Sequence, residues 1–425
     1  MNIRLYNAYI LNKDFDIEYG EVHISDGKIK YIGSGPKQNL NWDRNIDMNN
    51  ALVMRGIPNC HTHSPMTLLR SYSDDLNLHD WLNNAIFPIE ARMTPEDCYY
   101  GTLLAVLEYL SGGVTAIGDM YFFQENVIQA CVDSGFKIVC VGSASDIAGN
   151  TQEQLEQLEQ RYLKFNSYSP LCSYQLGFHA QYTASDRLVQ SVADLAEKYQ
   201  APVCVHLSET REEVQSCLDQ HGLTPPQYLA KKGVFDYGGS AYHCVHLNEK
   251  DIEILKEKNV TVITNPSSNL KLASGIADIE NYVKKGIKVA IGTDGPASNN
   301  SLDMLKEIYL TAVLSKVKNY NPAALSAKEV LKMALINGYQ SLGLGSGLLE
   351  EGADADITAI SFDAPNMQPV NNIINNIVYS ATSKNVVLTM INGKILYEKG
   401  EYNIGFKIEE IYNYCNRAIK RLKEI

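Results

Sequence analysis

Pro58-Asn-Cys-His-Thr-His-Ser-Pro-Met66 follows the apolar run Ala51-Leu-Val-Met54. In a strand, residues two apart face the same way, so His61 and His63 share one face at the end of a buried strand. Two imidazoles so placed can grip one metal ion. Alone, the pattern is short and equally fits two unrelated histidines near a turn.

Seven further apolar runs follow: GVTAIGDMYF, FKIVCVGSA, SYQLGFHAQY, APVCVHLSE, GSAYHCVHL, NVTVITNP and IKVAIGTDG. With ALVMRGIPNCHTH they make eight strand candidates. Helix-like stretches such as PEDCYYGTLLAVLEYLSGG, DRLVQSVADLAEKYQ and EKDIEILKEKN separate them. This alternation is expected of a closed parallel (β/α)8 barrel. An open doubly wound sheet would usually carry a glycine-rich phosphate loop after an early strand, and none is present. The first 54 residues read instead as short strands, with a hairpin turn at Asp26-Gly27. Strand texture returns after Gly347, and Asn392-Gly393-Lys394-Ile395 echoes Asp26-Gly27-Lys28-Ile29. The expected architecture is α/β. A barrel over 55–348 is inserted in a small β-sandwich built from 1–54 and 349–425, which ends in an amphipathic helix.

Bulk properties narrow the function classes. The 425 residues carry a net charge of -12 and no run rich in lysine or arginine, a poor match to nucleic acid or an anionic membrane. No segment approaches the length of apolar chain that a membrane helix needs. The opening MNIRLYNAYI has no basic region leading into an apolar core. Nine scattered cysteines, several within apolar runs, read as buried hydrophobes in a reducing compartment. A cytoplasmic protein acting on a small molecule is the expectation, with a dimer or tetramer possible.

Of the nine histidines, His61, His63, His179, His206, His243 and His246 lie in or at the ends of the first, fourth, fifth and sixth strand candidates. Asp294 ends the eighth. In a β/α barrel the strand C-termini form one rim, so these side chains converge although they are far apart in sequence. Two histidines from the first strand, one from the fifth and Asp294 would offer three nitrogens and one oxygen, a set suited to Zn²⁺ or Fe²⁺. If the sixth strand is regular, His246 faces away from His243 and is structural.

NCHTHSPM, DMYFF, HLSETREEV, HCVHL, NPSSNLKLASGIA and GTDGPASNNSLDM occur in that order, with EEGADADI beyond them. On these stretches the chain resembles the amidohydrolase superfamily, and more closely its branch of S-adenosylhomocysteine/5′-methylthioadenosine deaminases, near the triazine hydrolases. The resemblance implies that His61, His63, His206 and Asp294 bind one divalent metal, Zn²⁺ first and Fe²⁺ or Mn²⁺ as alternatives. It makes Glu209 a proton shuttle, and has His243 polarise the attacked water or stabilise its product. It places Glu90 and His179 on a ribose and Trp81 near the purine or thioether. No lysine occurs in SYQLGFHAQY, so a single metal is implied rather than a pair bridged by a carboxylated lysine.

The sequence departs from the branch at the third strand. Gly142 stands where members acting on S-adenosylhomocysteine carry an arginine for the substrate carboxylate, and no arginine follows until Arg161. Gln181 replaces a usual proline. Deamination of 5′-methylthioadenosine or adenosine, favoured over S-adenosylhomocysteine, is therefore expected. Aminohydrolysis or chlorohydrolysis of another N-heterocycle (guanine, a pterin or a triazine) is the alternative.

Overall fold

The structure, a computed structural model, describes residues 1–35, 41–147 and 149–424. The N-terminal strands are β1 (Asn2–Leu11), β2 (Ile17–Ser25), β3 (Lys28–Gly33), β4 (Arg44–Asp47) and β5 (Leu52–Arg55). Next come β6 (Ile57–Thr62), β7 (Val114–Asp119), β8 (Lys137–Val141), β9 (Cys172–Ala180), β10 (Val203–Leu207), β11 (Gly239–His243), β12 (Val260–Thr264) and β13 (Val289–Ile291). The chain closes with β14 (Ile357–Ile360), β15 (Val386–Ile391), β16 (Lys394–Glu398), β17 (Glu401–Tyr402) and the helix Ile408–Lys423.

Strands β6 to β13 pair in sequence order, all parallel. The ring is drawn shut between its last and first members. The Asp294 amide donates to the His61 carbonyl at 3.0 Å, and Asn59 Nδ2 donates to Thr293 Oγ1 at 2.7 Å. Inside, Cys60, Val141, Cys204, Tyr242, Ile263 and Ala290 form one buried cluster with Met120. Helices such as Pro95–Ser111, Asp186–Tyr199 and Glu249–Glu257 lie between consecutive barrel strands in the chain. All nine cysteines are buried and free, as their apolar context predicts.

The remaining nine strands form one mixed sheet, in the order β17-β16-β15-β14-β5-β1-β2-β3 with β4 also paired to β1. This sheet curls so that its β3 edge meets the segment just before β14. Ala355 N–H donates to the Gly27 carbonyl at 2.8 Å and Gly393 N–H to the Ala355 carbonyl at 2.9 Å, so the Asp26-Gly27 and Asn392-Gly393 turns touch. Inward residues of both chain ends, among them Ile3, Val22, Ile357 and Met390, make one core. A single strand was expected from Ala51 to His63, but the run divides at Gly56. A Cβ at Gly56 would lie 2.2 Å from Thr115 Cγ2. The close approach of β7 therefore demands glycine there, and the chain passes from one sheet to the other. The C-terminal helix docks on the barrel helix Pro95–Ser111, where Tyr414 stacks on Tyr100 with centroids 4.0 Å apart. Arg421 there pairs with the buried Asp97.

Candidate active site

The barrel brings the four proposed ligands together at the C-terminal ends of β6, β10 and β13. One donor atom from each of His61, His63, His206 and Asp294 lies within 4.8 Å of the others. His63 Nε2 is 3.1 Å and His61 Nε2 3.4 Å from Asp294 Oδ1, and the Nε2 atoms of His61 and His206 are 3.1 Å apart. Nδ1 of His63 meets the Met120 carbonyl, and Nδ1 of His206 meets the His179 carbonyl at 2.7 Å. A carbonyl only accepts, so both Nδ1 atoms carry a proton and both Nε2 atoms face the cluster. His61 lies against Tyr242 instead, with the rings stacked at 3.8 Å. Asp294 Oδ2 accepts from Ser268 at 2.6 Å and Ser298 at 2.8 Å, which turns Oδ1 towards the imidazoles. Burial lowers His61 to about 3, and His206 well below its ordinary range, so both rings are neutral donors. Burial also opposes charge on His63 and Asp294. Their mutual attraction outweighs it, taking His63 to about 9 and holding Asp294 well below the carboxylate range. Three imidazole nitrogens and one carboxylate oxygen, oriented by outer hydrogen bonds except at His61, which ring stacking holds, fit one divalent metal ion.

The other expected residues surround this cluster. Glu209 and His243 line the same cavity, with Glu209 Oε2 3.7 Å from His243 Nε2. Burial raises the Glu209 carboxyl, so it can hold a proton closer to neutral pH than an exposed glutamate. Asn269 Oδ1 accepts from His243 Nδ1 at 2.7 Å and fixes that ring. Glu90 is buried and accepts a 2.5 Å hydrogen bond from Tyr121, and burial pushes its carboxyl up to about 7. His179 and Trp81 also line the cavity, which measures about 540 Å³, and Trp81 is anchored by Nε1 donating to the Ser73 carbonyl at 3.1 Å. A wider chamber of about 960 Å³ opens beside it and shares Leu78, Leu82, Phe87 and Tyr182.

His246 lies in that outer chamber, and its Nε2–H donates to the Ser274 carbonyl at 2.8 Å. It does not join the donors, though not for the reason strand alternation suggests. Strand β11 ends at His243, and positive φ at His243 (69°) and Cys244 (47°) turns the chain out of the sheet. Tyr121, Ser268, Asn269 and Ser298 carry no role in a reading by strand ends. Each lies in a stretch with family resemblance, but only folding shows which atom each one holds.

The amidohydrolase family profile matches residues 52–396. The chain belongs to the amidohydrolase family. It is 38% identical to a 5-methylthioadenosine/S-adenosylhomocysteine deaminase of Thermoanaerobacter pseudethanolicus, covering 98% of this chain and 99% of that one. Among solved structures, an adenosine deaminase from Xanthomonas campestris with bound zinc superimposes with a TM-score of 0.94. It is 30% identical and covers 100% of this chain and 98% of its own. An atrazine chlorohydrolase from Arthrobacter aurescens, complexed with zinc, matches with a TM-score of 0.88 at 21% identity, over 98% of this chain and 100% of that one. At that identity the likeness concerns the amidohydrolase fold alone.

Proposed function

We propose that this amidohydrolase is a metal-dependent hydrolytic deaminase of an adenine nucleoside, releasing ammonia and the inosine analogue. The observation that carries this is the grouping of His61, His63, His206 and Asp294 beside Glu209 and His243 in one cavity, in a chain alike over its full length to named nucleoside deaminases. His61, His63, His206 and Asp294 would hold one divalent ion, with zinc expected, which would supply a nucleophile by lowering the pKa of water towards neutrality. Asp294 accepts a proton from the attacking water, and His243, which lines the same cavity, polarises that water. Glu209 donates a proton to the ring nitrogen next to the attacked carbon. Asp294 then gives the proton it accepted to the amino group, which leaves as ammonia, while Glu209 recovers a proton from the hydroxyl left on the attacked carbon. Water adds, ammonia departs, and no other reactant is consumed. Glu90, backed by Tyr121, accepts hydrogen bonds from two ribose hydroxyls, and His179 approaches the same sugar.

The wall near the third barrel strand supports a preference for 5′-methylthioadenosine or adenosine over S-adenosylhomocysteine. A Cβ at Gly142 would lie 2.4 Å from Leu158 Cδ1 and 2.8 Å from the Gly177 carbonyl, leaving no room for a longer side chain. Ser143, Ser145 and Gln154 face the cavity there, and Arg161 is paired with Glu125 at 2.9 Å. Ammonia release from adenosine, 5′-methylthioadenosine, S-adenosylhomocysteine, guanine, a pterin and an aminotriazine, with zinc-loaded and chelator-treated protein, tests both statements. Metal-dependent turnover of an adenosine compound is expected. Turnover of only the non-nucleosides overturns the ribose assignment of Glu90 and His179. A clear preference for S-adenosylhomocysteine overturns the one drawn from Gly142.

A further inference from the structure

The turn that carries Glu209 is held in an unfavourable shape from outside. Ser208 is fully buried and has a φ of +50°, in the left-handed region that residues with a side chain occupy only when their surroundings impose it. Its carbonyl accepts from His246 N–H at 3.0 Å. On the other side lies Glu213, in the first turn of the helix Arg211–His221. Thr210-Arg-Glu-Glu213 has the form of a capping box, in which the glutamate would return to the amide of Thr210. Only half of that box forms. Thr210 Oγ1 accepts from Glu213 N–H at 3.1 Å, but the Glu213 carboxylate reaches past the cap. Its Oε1 accepts from Ser208 N–H and its Oε2 from Glu209 N–H, both at 2.7 Å.

We infer that Glu213 is a positioning residue for the proton shuttle: by clamping the Ser208 and Glu209 amides it holds the left-handed turn that points Glu209 at His243. The inference rests on the shuttle role proposed for Glu209. Both carboxylate oxygens are used, so glutamine cannot replace it. An amide has one acceptor oxygen, and its NH₂ group would face one of the two backbone donors. The carboxyl is also costly to keep, since burial drives it up to about 7, and an ordinary helix cap would not need it so deep. A buried charge committed to two amides beside the shuttle is explained by aim rather than by helix stability. Two other buried carboxylates serve neighbouring rim loops in the same way. Asp119 accepts from Ser64 N–H at 2.8 Å, next to His63, and Glu307 from Ser267 N–H at 2.9 Å, next to Ser268.

The test compares Glu213→Gln, Thr210→Val, Glu209→Gln and the double variant Glu209→Gln/Glu213→Gln for ammonia release, metal content and melting temperature. In Glu213→Gln, kcat is expected to fall about 10- to 100-fold, as a misaimed catalytic group does, with KM and metal content near wild type. Thr210→Val removes only the cap and should lower the melting temperature while leaving kcat within about twofold. In the Glu209→Gln background, loss of Glu213 should reduce kcat no further, because it acts through Glu209. Unchanged kcat in Glu213→Gln, an equal loss in Thr210→Val, or full additivity in the double variant would each overturn the inference. A crystal structure of Glu213→Gln gives a readout without turnover. Glu209 displaced from His243 supports the clamp, and an unmoved Ser208-Glu209 turn refutes it. If wild type deaminates none of the substrates, the proposed function fails, and the crystal structure still decides the clamp.

Discussion

At the residue scale, environment separates carboxylates of one chemical kind into different tasks. Asp294 is held ionised by the imidazoles it faces, whereas burial raises Glu209 and Glu90. Glu209→Gln keeps the shape and removes the transferable proton. Its kcat should drop by about 100-fold or more while bound metal stays stoichiometric, as ammonia release and elemental analysis of the same sample will show. Glu90 gives a pH dependence whose sign follows from its role. Above about 7 its carboxyl is ionised and can accept the two ribose hydroxyl hydrogen bonds proposed for it. Below about 7 it is protonated and loses acceptor capacity. KM for a ribonucleoside should therefore rise as pH falls through 7, and in Glu90→Gln this dependence should vanish. A profile of KM against pH for both proteins decides it. A strong wild-type dependence that survives in the variant would assign the titration to another group.

At the scale of elements, the site depends on how closely the last barrel strand approaches the first. Gly292 follows β13, and a Cβ there would lie 2.8 Å from His61 N and 2.6 Å from Asn265 Oδ1. The Asp294 amide bonds to the His61 carbonyl two residues further on, so any displacement is passed directly to two ligands. Gly292→Ala should weaken metal binding by about tenfold or more and lower the melting temperature, both from one methyl group that the fold cannot absorb. Metal competition with a chromophoric chelator measures the first effect and calorimetry the second. Retained metal affinity in a folded Gly292→Ala protein would show that the strand junction yields more than the packing allows.

At the scale of the molecule, barrel and mixed sheet are locked by buried charge as well as by apolar packing. Asp356, fully buried just before β14, accepts from Lys137 Nζ of β8 at 2.6 Å and from Arg55 of β5 at 3.3 Å. Its other oxygen accepts from Asn392 N–H at 2.8 Å, and the Arg55 guanidinium lies 4.4 Å from the Tyr339 ring centre. Asp356→Ala removes the anion that two buried cations share, leaving Lys137 only the half-exposed Asp354 at 3.7 Å, and should cost about 3–5 kcal/mol of apparent stability. The cluster is at the strand N-termini, opposite the rim that holds the ligands, so metal content should be unaffected in the folded fraction. Chemical denaturation with metal analysis of the refolded protein tests the separation. Among the described residues, no helix is long and apolar enough to cross a membrane.

The eight barrel strands were legible because each is a short buried run whose residue types and spacing are local properties. Strand ends were legible too, and on a parallel barrel they define one rim, so His61, His63, His206, His243 and Asp294 could be nominated from sequence position, whereas Glu209 came only with the family resemblance. The division of the first run at Gly56 was not legible. It depends on Thr115, 59 positions away, approaching too closely for any side chain. His246 was set aside by strand alternation, but its placement follows from left-handed turns at His243 and Cys244 that no local pattern announces. Thr210-Arg-Glu-Glu213 reads as a helix cap, yet its carboxylate serves the neighbouring turn. Sequence alone thus determined the elements, their order and the chemical types at their ends, since these follow from nearest neighbours along the chain. Only the tertiary structure decided which atoms face one another, because backbone clashes, hydrogen-bond partners and burial are set by residues that meet through space.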